Sequence, residues 1–120
     1  MTYKYLASPY TDKNPSVMLR RFVAAQSCLV WLLKHKILSY SPIVNYHQLA
    51  LDFDLPNKDY EFWQDVNHAM IMGSSGVLVL CIDGWKESTG VSGEVAFAIA
   101  KDKPLTYLEP DAGGGYVLVT

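Results

Sequence analysis

The residues best equipped for chemistry lie together in Ser88-Thr89-Gly90-Val91-Ser92-Gly93-Glu94. At the start of a helix, such a run offers hydroxyls and unpaired backbone N–H groups to an anion, and the helix dipole favours the same charge, so Ser88, Thr89, Gly90 and Val91 are candidates for holding a phosphate. The pattern is neither a Walker loop nor a GxGxxG fingerprint. Its simpler reading is a capped helix whose first-turn glutamate complements the dipole. Against that reading, a capping-box glutamate needs Ser or Thr three residues earlier, and Val91 stands there instead. Gly93 beside Glu94 would also let a ligand come close to the backbone.

Other candidates are more scattered. Ser8-Pro9-Tyr10 follows a short run of strand formers, and Tyr10 is either a stacking surface for a flat ligand or an ordinary loop tyrosine. His47 is either a contact or proton-transfer group, or an unremarkable loop histidine. Asp65 is either a catalytic carboxyl or a solvated helix residue. Trp85, after Asp83-Gly84, either walls a pocket or packs in the core.

The surrounding pattern predicts the elements that would position these groups. Tyr3 to Ala7 reads as a strand ended by Ser8-Pro9. Asn14-Pro15 reads as an N-cap followed by proline at the first helical position, and Met18, Phe22, Ala25, Leu29 and Leu32 continue one apolar face to about Lys34. Lys36 to Tyr40 gives a second strand. Ile43 to Asn57 reads as a long connection suited to binding. From Lys58, the residues Tyr60, Trp63, Val66 and Met70 predict a helix that stops near Gly73. Val77 to Ile82 is the clearest buried strand, followed by a helix through Val91, Val95, Ala98 and Ile99, and by a strand over Pro104 to Leu108. The order β-α-β-α-β-α-β predicts an α/β fold with a doubly wound, mainly parallel sheet and helices on both faces, Rossmann/flavodoxin-like, with ligands at the carboxyl ends of the strands. Tyr116 to Val119 reads as an edge strand or an arm laid on a neighbouring subunit.

Composition narrows the classes. A chain of 120 residues, half of them hydrophobic, is sized for one domain with its own core. The net charge of −2 supplies no basic footprint, which argues against polymeric nucleic acid as a partner but leaves room for a small anion. Cys28 and Cys81 read as buried thiols of a reducing compartment; no CxxC or His/Cys spacing points to a metal site. The N-terminus lacks the pattern of a signal peptide, and the longest unbroken apolar runs, Val77 to Ile82 among them, are too short to span a bilayer. The expectation is a cytoplasmic protein without membrane association.

From Tyr3 to Leu108 the sequence resembles the nucleoside 2-deoxyribosyltransferase-like superfamily, including its 2′-deoxynucleoside 5′-monophosphate N-glycosidase branch. The resemblance is carried by Tyr5-Leu6-Ala7-Ser8-Pro9-Tyr10, by Gln64-Asp65, by the strand Val77 to Ile82, and by Ser88-x-Gly90-Val91-x-x-Glu94. It implies that Glu94 is the nucleophile that attacks the anomeric carbon, and that Asp65 contacts sugar or base and helps protonate the leaving group. Ser8, Pro9, Tyr10 and His47 would line the sugar and base pocket. Transferases of the family carry an aspartate six residues before the nucleophile, where this sequence has Ser88. That departure favours a 5′-phosphorylated substrate, since a hydroxyl donates to phosphate where a carboxylate repels it.

The resemblance further implies a small-molecule nucleotide or nucleoside partner, no metal or organic cofactor, and a homo-oligomer. Two other functions stay open at this point: a non-catalytic nucleotide-binding or sensing module, and a deoxyribosyltransferase acting on unphosphorylated nucleosides.

Overall fold

The computed structural model describes residues 1–120. Its helices begin where side chains can satisfy the first free N–H groups. Helix α1 spans Pro15–Lys34; the Asn14 side chain accepts from the Ser16 N–H at 2.9 Å, and Pro15 stands where no N–H is needed. The same signature recurs at Ser41-Pro42, where Ser41 Oγ accepts from the Val44 N–H at 3.1 Å and opens α2, Pro42–Asp52. The connection expected over 43–57 is therefore mostly helix. Asp59 caps α3, Tyr60–Gly73, and Ser88 caps α4, Thr89–Ala100.

Five strands complete the chain: β1 Lys4–Ala7, β2 Ser39–Tyr40, β3 Val77–Leu80, β4 Leu105–Pro110 and β5 Tyr116–Val119. The second strand is shorter than its sequence pattern predicts. Lys36 adopts a left-handed conformation (φ 60°) after α1, and the Ile37 N–H returns to the Leu32 carbonyl, so the chain enters the sheet only at Ser39. The sheet order is β2-β1-β3-β4-β5, parallel throughout except for the antiparallel β4–β5 pair. The tail is thus an edge strand of the chain's own sheet.

Alternation along the strands builds two cores. Tyr5, Ala7, Val77 and Val79 point to one face and pack with Ile71 of α3 and with Val91 and Ala98 of α4. Leu6, Leu78, Leu80 and Leu108 point to the other and pack with Cys28 and Leu32 of α1. Helices on both faces of a mainly parallel sheet make the fold doubly wound, in the flavodoxin-like strand order. The chain leaves β1 toward one side of the sheet and β3 toward the other, so their carboxyl ends border the crevice where such folds collect ligands. The radius of gyration, 13.4 Å, matches the about 13.6 Å expected of a compact domain of this length.

Helix α1 is long and apolar enough to cross a membrane by length and composition. In this fold it buries Met18, Ala25, Cys28 and Leu32, while Leu19, Val23, Val30 and Leu33 lie exposed. Cys28 is buried with its thiol pushed up to about 12, chiefly by desolvation. Cys81 is only half-buried.

Candidate active site

Glu94 is 5 % exposed, an unusual place for a carboxyl group, and it forms the floor of a cavity of about 360 Å³. It sits in the second turn of α4, on the helix face that meets the sheet. Helical spacing puts Val91, Glu94 and Ala98 on that face together. Beneath it the Tyr5 hydroxyl, from the core of β1, donates to Glu94 Oε2. Burial drives the Glu94 carboxyl up to about 8, and the Tyr5 hydrogen bond opposes that rise. Tyr5 itself is raised well above the usual phenol range, first by burial and then by the carboxylate.

Four elements wall the cavity. From the loop after β1 come Ser8 and Tyr10; from α2 come Tyr46 and His47; from α3 come Tyr60, Trp63 and Asn67; from the start of α4 come Ser88, Thr89 and Gly90. Tyr10 and His47 Nδ1 share a hydrogen bond of 2.6 Å, and the imidazole stacks on Phe22 with ring centroids 4.1 Å apart. Burial lowers the His47 pKa, which keeps the ring neutral around pH 7. Tyr46 and Trp63 meet with ring centroids 5.1 Å apart, and Trp63 Nε1 donates to the Pro56 carbonyl at 3.1 Å. The indole is thereby fixed with part of its surface on the cavity.

Two polar atoms around the cavity residues have no partner in the chain, Ser8 Oγ and Asn67 Oδ1. Unpaired buried polar atoms are costly, and a bound ligand is one way of relieving the cost. At the head of α4, the Val91 N–H is taken by Ser88 Oγ and the Ser92 N–H by the Ser88 carbonyl. The N–H groups of Thr89 and Gly90 precede these bonds and remain available to an acceptor. A Cβ on Gly90 would meet only Ser88 Oγ, at 3.8 Å, so the approach to these amides is open. No group of three or more His, Cys, Asp or Glu side chains converges anywhere in the chain.

The buried glutamate, the aromatic cavity and the open helix start all fall within one stretch of the chain. The profile of a domain family of unknown function, DUF1937, matches residues 2–109. The chain belongs to that family. No curated protein matches it.

Within this DUF1937 domain the cavity gathers most of the residues singled out from the sequence and leaves out four. Glu94, Ser8, Tyr10, His47, Ser88, Thr89 and Gly90 all line it. Pro9 is fully buried and does not. Val91 is 2 % exposed, packs into the core and has its N–H capped by Ser88, which removes it from the candidates for an anion. Asp65 is exposed and outside the cavity. The reason is helical phase: Tyr60, Trp63 and Asn67 share the cavity face, and Asp65, two residues from each of the last two, is turned about 200° away. The same phase exposes Val66, which the sequence pattern had placed on the apolar face. Trp85 packs against the core and Tyr107 with ring centroids 5.6 Å apart, and is no wall of the cavity.

Sequence reasoning missed Tyr5, Tyr60, Trp63 and Asn67 as site residues. Tyr5 reads as one more strand former, because its partner Glu94 is 89 residues away. The cavity face of α3 was within reach, since Tyr60, Trp63 and Asn67 recur at steps of three and four.

Proposed function

We propose that this chain is a nucleotide N-glycosidase that cleaves a nucleoside or 2′-deoxynucleoside 5′-monophosphate through a covalent glycosyl ester on Glu94. The observation that carries the reading is the buried Glu94 carboxyl, held by Tyr5 at the floor of an aromatic cavity whose rim includes the free amides of α4. Such a cavity suits a molecule with a flat aromatic part at one end and an anion at the other. Tyr10, Tyr46 and Trp63 offer surfaces to a base, and Thr89, Gly90 and Ser88 offer donors to a phosphate. The sequence resemblance to the monophosphate N-glycosidases supports the same assignment of ends.

In this mechanism the ionised Glu94 attacks the anomeric carbon as the bond to the base breaks, and water then hydrolyses the ester to release the sugar phosphate. Tyr5 orients the attacking carboxylate and favours its ionised form, which burial disfavours. Because the carboxyl titrates at about 8 in the free protein, kcat/KM is expected to rise with pH up to that region and then level off.

The reading is tested by chromatography of free base after incubating wild type and Glu94→Ala with ribo- and deoxyribonucleosides and their 5′-monophosphates. Release from a monophosphate, abolished in the variant, is the expected outcome. Release from unphosphorylated nucleosides alone would remove the phosphate assignment. No release from any compound, with binding shown by calorimetry, would replace the enzyme with a nucleotide-binding module.

A further inference from the structure

The cleavage proposed above needs a proton for the departing base, and the residue expected to supply it, Asp65, lies outside the cavity. Several of the titratable groups that line the cavity are already engaged. Asp59 Oδ1 caps α3 at the Phe62 N–H, and His47 and Tyr10 are bonded to each other. Tyr60 differs from all of these. Its ring lines the cavity, its hydroxyl lies so close to Gly93 that a Cβ there would overlap it, and Gly93 is the residue next to Glu94. No side-chain hydrogen bond is made to that hydroxyl within the chain. A free phenolic donor thus stands beside the nucleophile at the start of α3, with room for it provided by the glycine.

We propose that Tyr60 is the catalytic acid of the site, giving its hydroxyl proton to the nucleobase as the glycosidic bond breaks. This rests on the N-glycosidase reading and adds a residue to it. In the first step a Glu94 oxygen bonds to the anomeric carbon, and the electron pair of the carbon–nitrogen bond goes to the base. The base takes the Tyr60 proton and leaves neutral. In the second step water attacks the same carbon and its proton passes to the Tyr60 oxygen. The ester bond breaks, and both side chains are restored.

Electrostatics times this acid correctly. Burial, and then the Glu94 charge, raise the phenol, so it keeps its proton while the carboxylate is ionised. Esterification of Glu94 removes that negative charge. The phenol therefore becomes a stronger acid in the step that consumes its proton.

The test compares two leaving groups in wild type and Tyr60→Phe, which keeps the ring against Gly93. One substrate is the monophosphate that releases its base. The other is the 4-nitrophenyl glycoside of the same sugar 5′-phosphate, whose leaving group departs as a stable phenolate without a proton. General acid catalysis is worth about 10²- to 10⁴-fold. The ratio of nitrophenol release to base release is expected to rise by about 100-fold in the variant, at the low end of that range. Gly93→Ala, which pushes the hydroxyl away without removing it, is expected to move the ratio in the same direction. An unchanged ratio in both variants overturns the role of Tyr60 and leaves the glycosidase reading standing. Wild type that releases neither leaving group overturns both.

Discussion

Glu94→Gln is expected to abolish base release while making the protein more stable at alkaline pH. The amide cannot attack the anomeric carbon, and loss of a covalent nucleophile costs at least about 10³-fold in kcat. The effect on stability follows from burial. In the folded chain burial pushes the Glu94 carboxyl up to about 8, against an ordinary value of 4.5. Between those values the folded state holds a proton that the unfolded state has lost, so stability falls as pH rises through the window and is flat above it. Integrated over the window, the loss is on the order of 5 kcal/mol. Glutamine has nearly the shape of the protonated side chain, can still accept from Tyr5, and has no charge to bury. Urea denaturation should therefore give similar stabilities for the two proteins at pH 5 and a clear advantage for Glu94→Gln at pH 9. Parallel stability profiles would mean that Glu94 does not titrate in this window. A catalytic group that weakens the fold is the usual trade of stability for function.

Tyr5→Phe should move the activity profile rather than erase it. The hydroxyl is the one side-chain donor that lowers the Glu94 pKa against its burial. Without it the carboxyl rises above 8, and the rising limb of kcat/KM shifts to higher pH with it. A hydrogen bond to a charged group is worth about 1.5–3 kcal/mol, so activity at pH 7.5 is expected to fall by about 10- to 100-fold. The gap should narrow above about pH 10, as Glu94 becomes ionised in both proteins. The donor stabilises the carboxylate more than the nearly neutral ester it becomes, so its removal costs little once ionisation is complete. A limb that stays at the same pH in Tyr5→Phe would show that the phenol does not govern this carboxyl.

The sequence made the layers of this fold readable and the walls of the site less so. Buried parallel strands announce themselves as apolar runs, as at Val77, and Asn14-Pro15 marked the start of α1 correctly. The similar signal at Ser41-Pro42 is ambiguous, because proline after a strand suits a loop and a helix start equally well. What followed was a helix that carries His47 and Tyr46 to the cavity. Glu94 stood out because a carboxylate beside glycine had no capping partner, and its burial within α4 is consistent with that anomaly. Asp65 misled because a carboxylate in a helix looks the same whichever way the helix is turned. Its phase is set by Ile71 packing into the sheet, a long-range contact that leaves no local mark. Tyr5 and Tyr60 were hidden for the same reason. Each meets α4 at or beside Glu94 only after the sheet has assembled.

The central claim is that Glu94 forms a bond to the sugar, and the stereochemistry of product tests it most directly. The monophosphate that wild type cleaves would be turned over in buffer containing methanol, and the anomeric configuration of the methyl glycoside read by proton NMR. Two displacements, the first by Glu94, predict the same configuration as the substrate. An inverted product would mean that methanol attacks the substrate directly, with Glu94 acting as a base, and would contradict the covalent account.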